Sequence, residues 1–192
     1  NITNCSPREV IDSGVAFIPE DRLGLGLFPS LNLLDNLILK DYRKERLGKW
    51  FFLDWQYIKN WAKKVVDEYK IKTPDLGSPV KLMSGGNLQR LLLAREISAS
   101  PKLIVAAYPV RGLDVKATEF VHNTLLEQSK NGTAILLISE DLEEIFKLSD
   151  KIAVLYEGTI MGIVPSQKVS LEEVGLMMAG VYREEEQTCK AN

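Results

Sequence analysis

Apolar positions along this chain repeat with two different periods, and the two alternate. Short apolar runs at Val15–Pro19, Leu103–Ala107, Ala134–Ser139 and Ile152–Tyr156 read as strands with buried flanks. Between them lie helical spacings. Behind Asp54, a suitable cap, Trp55, Ile58, Ala62, Val65 and Tyr69 fall on a single stripe. After Ser84, Leu88, Leu91, Leu92, Ala94 and Ile97 are spaced so as to bury one face of a second helix. Shorter helices are predicted at Leu31–Leu39 and Leu142–Leu148, with longer patterns at Val115–Lys130 and Leu171–Ala179. Glu157-Gly158 is a turn signal leading into a final hairpin strand, Thr159–Val164. Strands alternating with helices predict an α/β fold, its parallel sheet covered on both faces. Glu20–Leu27, punctuated by glycine, reads as a mobile loop, Arg43–Lys49 as a basic surface connection, and the tail from Arg183 as frayed.

Composition narrows the function classes. With 192 residues there is room for one domain with a real core plus an inserted subdomain. A net charge of −2 gives no basic excess for wrapping nucleic acid, so nucleic acid is not an expected partner. No apolar run approaches the roughly 20 residues needed to cross a bilayer, so any membrane role runs through a partner. The two cysteines, Cys5 and Cys189, form neither a disulfide framework nor a metal knuckle, and a reducing cytoplasm fits them.

The densest chemistry lies at Leu82-Met83-Ser84-Gly85-Gly86-Asn87-Leu88-Gln89-Arg90. Amide N–H groups at a helix start lack intrahelical partners and carry the positive end of the helix dipole, so they attract an anion. Gly85 and Gly86 let that anion approach the backbone, and Ser84 is expected to cap the helix. The plain alternative is a capped core helix that happens to begin Ser-Gly-Gly.

This stretch resembles the LSGGQ signature of the ATP-binding-cassette (ABC) ATPases, with Met83 in place of the leading leucine and Asn87 in place of the closing glutamine. Asparagine there is familiar from the sugar-import and nucleoside-import members. Pro101–Asp114 looks like the Walker B strand followed by the D-loop, and Pro19-Glu20-Asp21-Arg22 matches a "PEDR" variant of the Q-loop. Leu136–Leu142 falls at the place of the switch-histidine loop. The resemblance implies a truncated P-loop NTPase core with an inserted helical subdomain. Residues 1–30 would hold a partial core strand and the Q-loop, 31–84 the helical subdomain, 85–182 the α/β core and 183–192 a tail. No GxxxxGK followed by Ser or Thr occurs, so the chain is expected to be a piece cut downstream of its Walker A loop.

In the resembled family two cassettes face each other head to tail, and each ATP lies between the Walker A of one and the signature of the other. By that resemblance Ser84, Gly85, Gly86, Asn87 and Gln89 would bind a nucleotide in trans. Gly112, Leu113 and Asp114 would form the D-loop at the interface, and Glu20 would hold the Q-loop position. The chain departs from the family in its own site. Ala107 and Tyr108 stand where an active cassette has its magnesium-binding Asp and water-polarising Glu, and Glu140 replaces the switch histidine. A methyl and a phenol supply no carboxylate, and Glu140 would repel a phosphate. Asp141, one residue on, is the alternative proton acceptor.

The implied activity is that of the second half of a double-cassette sugar or nucleoside importer, peripheral on the inner membrane face. ATP and Mg²⁺ would bind in the intact assembly, with none held tightly by this piece alone. Its partners would be an N-terminal cassette of the same polypeptide, two permease subunits and a solute-binding protein. Two other readings stand beside it: a noncatalytic cassette-like dimerisation or regulatory module, and a soluble ATPase of the superfamily not linked to transport. His122 is expected to be structural, and Trp50, Trp55 and Trp61 to pack the helical subdomain. Without its first strands the sheet is expected to expose an apolar edge and one face of the core, with self-association through the Val15–Pro19 side.

Overall fold

A computed structural model describes residues 2–42, 47–49 and 52–181. Trp50, Cys189 and the tail from Arg183 therefore lie outside the described residues. The chain forms two compact units, Asn1–Ile138 and Ser139–Asn192.

The first unit opens with α1 (Pro7–Asp12), which the sequence reading above does not contain. Its start is a capping box, Ser6 and Glu9 each satisfying the other's backbone amide, with Pro7 in the first turn. β1 (Val15–Ile18) follows, then a π-helical turn at Arg22–Gly26 where a mobile loop is predicted. Asp21 holds that turn, its carboxylate accepting from the amides of Leu23 and Gly24. α2 (Leu33–Ile38) is capped by Asn32. Inside it Asn36, fully buried, accepts from the Phe28 amide and donates to the Phe28 and Asn32 carbonyls, fixing the loop ahead of the helix.

The predicted basic connection ends in a small antiparallel ribbon, β2 (Gly48–Lys49) with β3 (Phe52–Leu53). α3 (Trp55–Glu68) is capped by Asp54 and buries Ile58, Ala62 and Val65, as the stripe predicts. Trp55 is the exception: at the first helical position it faces water, 49% exposed, whereas Trp61 packs on the core. α4 (Gly85–Ile97), β4 (Leu103–Ala107), α5 (Val115–Lys130) and β5 (Ala134–Ile138) complete the unit.

The parallel sheet has three strands in the order β1-β4-β5, with Ala16 beside Ile104 and Ile104 beside Ile135. Only one of its faces is covered. Ala16, Ile18, Ile104 and Ala106 are buried, whereas Phe17 (46% exposed) and Leu136 (54%) lie in one row on the other face. This corrects the expectation of cover on both sides. On β1 the Phe17 amide donates to the Glu96 carboxylate at 3.0 Å. Residues of the predicted helical subdomain, such as Leu33, Ile58 and Val80, share one hydrophobic core with Ile104 of the sheet.

α4 departs furthest from its predicted pattern. Every residue from Leu91 to Ile97 is buried, so the helix is enclosed all round rather than along one face. Its two buried charges are matched. Glu96 (1% exposed) meets Lys40 at 2.5 Å and accepts from Arg95 at 3.0 Å, while Arg95 also donates to the Gly26 carbonyl at 2.7 Å.

The second unit holds α6 (Leu142–Leu148), the antiparallel pair β6 (Lys151–Tyr156) and β7 (Thr159–Pro165), and α7 (Leu171–Met178). β6 pairs with β7 and not with the parallel sheet, contrary to its reading as a third parallel run. Ile152, Val154, Val164, Val174 and Met177 form its separate core. Glu157 and Gly158, both at positive φ, make the predicted turn.

Candidate functional site

The open start of α4 is the candidate site. Ser84 stands at the N-cap with extended backbone, yet its hydroxyl does not cap the helix as predicted. Instead the Ser84 Oγ accepts from the Asn87 side-chain amide at 3.1 Å, and the Asn87 Oδ1 accepts from the Lys72 backbone N–H at 3.0 Å. Asn87 thus anchors the serine to the segment that follows α3. The first-turn N–H groups are left without a side-chain cap, a concentration of positive partial charge. Gly85 opens onto free space: a methyl built there meets no atom within 4 Å. Gly86 does the opposite, since a methyl there would sit 3.3 Å from the Ala117 methyl of α5. One glycine therefore leaves room outside, and the other permits close packing behind.

The helix is buttressed from behind. The Arg90 guanidinium lies 3.7 Å from the centre of the Phe120 ring and donates to the Tyr69 carbonyl at 3.1 Å. Burial lowers the pKa of Arg90, with Asp114 opposing that shift. Tyr69 and Phe120 meet edge to face at 6.4 Å, and burial raises the pKa of the Tyr69 phenol.

Gln89 lies one turn further in and is 1% exposed, out of reach of any external ligand. Its Oε1 accepts from Arg22 Nε at 2.7 Å. Through this bond Gln89 ties α4 to the segment that follows Glu20. Arg22 also donates to the Arg111 carbonyl, and Arg111 in turn pairs with Glu20. Burial lowers the pKa of Arg22, with the charge of Glu20 opposing it. The sequence reading names Glu20 but misses Arg22, Arg111 and Lys72. The signal for Arg22 was an arginine beside an otherwise apolar, glycine-rich loop.

At the end of β4, Ala107 sits in the ladder beside Ile138, and the Tyr108 amide donates to the Ile138 carbonyl at 2.8 Å. Tyr108 adopts a left-handed backbone (φ 48°), an arrangement costing about 1–2 kcal/mol for a non-glycine residue. These two side chains offer Mg²⁺ no carboxylate, so the end of this strand does not fit the ion. Arg111 and Leu113 close successive turns onto the Tyr108 and Val110 carbonyls, and Gly112 takes positive φ between them. Asp114 caps α5 by accepting from the Ala117 amide at 2.8 Å. His122 is buried in α5, as a structural histidine should be. In the second unit Glu140 is exposed, and Asp141 caps α6 through the amides of Glu143 and Glu144, at 2.9 and 3.3 Å.

No protein-family model matches the chain. Among known proteins it is 41% identical, over 96% of its length, to the guanosine import ATP-binding protein NupO of Bacillus subtilis. It is equally 41% identical, over 94%, to the glucose import ATP-binding protein TsgD13 of Haloferax volcanii. The chain spans about a third of each relative, 36% and 33%. Among solved structures, an ATP-binding cassette of an ABC transporter superposes with a TM-score of 0.70 at 19% identity, over 95% of this chain and 74% of that one. The α/β architecture is that of the ABC cassette, and no helix among the described residues is long and apolar enough to cross a membrane. With the signature stretch at the start of α4 and these similarities together, the chain belongs to the ATP-binding proteins of the ABC transporters.

Proposed function

We propose that this chain is the signature-bearing part of an importer ATPase for sugars or nucleosides, and that it acts on a nucleotide held by a partner cassette. The observation that carries the reading is the open start of α4. There Asn87 turns the Ser84 hydroxyl into an acceptor of its own amide and leaves the hydroxyl proton free to donate outward. Beside it stand first-turn N–H groups with no side-chain cap, and the space in front of Gly85 is clear. A hydroxyl and uncapped first-turn amides beside clear space suit the terminal phosphate of ATP.

In this reading the chain binds and orients, and another cassette supplies the groups for hydrolysis. ATP, with its Mg²⁺, is gripped on one side by the partner and on the other by Ser84, Gly85 and Gly86. Asn87 acts from behind, as the support of Ser84. Gly112–Asp114 face the same junction. The chain's own strand end, with Ala107 and Tyr108, would belong to a second, degenerate site. The segment 31–84 and the Q-loop residues around Glu20 would face two permease subunits, with a solute-binding protein outside, which places the chain on the cytoplasmic face of the membrane. Names of the relatives support sugar or nucleoside cargo and do not choose between them.

The test joins this chain to an N-terminal cassette of the same polypeptide and measures ATP turnover. Turnover should rise on mixing and fall about a hundredfold with Ser84→Ala, as when one phosphate-facing donor is removed. No rise on mixing would overturn the reading. So would a chain that hydrolyses ATP alone at about 1 per second.

A further inference from the structure

We propose that Arg22 is a positioning residue that makes the Q-loop segment, the loop before α5 and the signature helix move as one body. The segment 20–27 is fastened to α4 at both ends. At its start Arg22 Nε donates to Gln89 Oε1 at 2.7 Å, and at its end the Gly26 carbonyl accepts from Arg95 at 2.7 Å. Both partners on α4 are buried, Gln89 to 1% and Arg95 to 5% exposure. The same guanidinium that reaches Gln89 also donates to the carbonyl of Arg111, 89 residues further along the chain. One rigid fork therefore spans three segments that sequence keeps far apart.

Gln89 shows why the fork matters. Its Nε2 is buried with no hydrogen-bond partner among the described residues, where the side chain is held through its oxygen alone. Turning the amide over would set two donors face to face, which fixes its orientation. An amide left half-satisfied in a core is tolerable only while its one strong bond persists, and that bond comes from a charged donor. Glu20 supplies the counter-charge indirectly. It pairs with Arg111, whose own carbonyl Arg22 holds, closing a small ring of contacts. Glu20 and Arg111 are 44% and 59% exposed, so their pair is weak alone, and the half-buried Arg22 is the member that binds the ring to the interior.

Lysine cannot stand in for this residue. Arg22 reaches Gln89 through Nε and the Arg111 carbonyl through a separate nitrogen, Nη2, and the one nitrogen of an ammonium does not reproduce that spaced, planar pair of donors. In the transport reading, on which this inference rests for its second arm, Glu20–Leu27 senses the permease. Arg22 then passes a displacement there to the signature helix and to the loop at the cassette junction.

The first measurement is hydrogen exchange on the chain itself, following the Leu113 amide, which bonds to the Val110 carbonyl at 3.0 Å. Arg22→Lys and Gln89→Met, a change of similar shape without the acceptor, should each speed Leu113 exchange about tenfold, the effect of losing one charge-assisted bond. The double variant should be no faster than Arg22→Lys, because both changes cut the same link. The Thr118 amide, bonded to Asp114 inside α5, should stay unchanged and show that the fold is intact. Leu113 exchange unaltered in either single variant, or additive in the double, overturns the proposal.

The second measurement uses the full polypeptide assembled with its permease in vesicles. Arg22→Lys should lower kcat about fivefold with the KM for ATP unmoved, since geometry rather than nucleotide binding is disturbed. A raised KM with unchanged kcat, or no kinetic change despite faster Leu113 exchange, overturns the coupling role. If the unaltered assembly fails to hydrolyse ATP, the transport reading fails instead, and the exchange arm still decides whether Arg22 links the three segments.

Discussion

Replacing Gly85 by alanine should make the protein more stable and less active at once. Gly85 is the first residue of α4 and lies outside the positive-φ glycines, and a methyl there meets nothing within 4 Å. In a helix interior Gly→Ala is worth up to about 1 kcal/mol, from reduced freedom of the unfolded chain. The first turn realises part of this, about 0.5 kcal/mol, or a rise of about 1–2 °C in Tm for a chain of this length. Gly86 provides the control. The same propensity gain is available, but its new methyl would lie 3.3 Å from the Ala117 methyl, and α4 and α5 would have to separate. Overpacking of that kind costs about 1–3 kcal/mol, so Gly86→Ala should be destabilising by about 1 kcal/mol net.

Urea unfolding followed by circular dichroism gives both stabilities, and ATP turnover of the chain mixed with its partner cassette gives the activities. A methyl on Gly85 occupies the opening through which the phosphate must approach, and turnover should drop at least about tenfold. Loss of more than about 0.5 kcal/mol in Gly85→Ala would show that the opening is in fact filled. Full turnover in that variant would show that these amides do not meet the phosphate.

Glu96→Ala leaves Arg95 and the Phe17 amide without their shared buried acceptor and should cost about 3–5 kcal/mol in urea unfolding; a loss under 1 kcal/mol would mean the cluster is not closed. Glu157→Asn places a residue tolerant of positive φ in the β6–β7 turn and should stabilise the hairpin by about 0.5–1 kcal/mol, read as a higher Tm. Hydrogen bonds from Ser170 lower the pKa of Glu173, so its cap is formed above the unfolded carboxylate range and is lost as pH falls through the lowered folded value; the Ser170 amide resonance should titrate there, and Glu173→Gln should abolish that step. Leu136→Lys should reduce self-association and apolar-dye binding through the open sheet face, whereas a monomeric parent protein that binds no dye would refute that surface.

Much of this architecture is legible in the sequence because it depends on near neighbours. Asp54 caps the helix that its position predicts, and the stripe Ile58, Ala62, Val65 is buried where it should be. Ser6 and Glu9, three residues apart with Pro7 between them, are an equally local signal for α1. What escaped depends on remote partners. Phe17 looked buried because its run is apolar, yet the face it points to has no cover. At the candidate site the motif names Ser84–Gly86 but carries no sign of the bonds around them. The bonds of Asn87 to Lys72, of Gln89 to Arg22 and of Arg22 to Arg111 join positions 15, 67 and 89 apart, beyond any local pattern.

The enclosure of α4 has a mechanical consequence. With neighbours on every side from Leu91 onward, and with Arg95 and Glu96 bonded in different directions, this rod cannot spin about its axis or slip by one residue without breaking several attachments together. The donors at its mouth consequently keep a constant heading relative to the strands behind them, and an incoming anion must align itself to them.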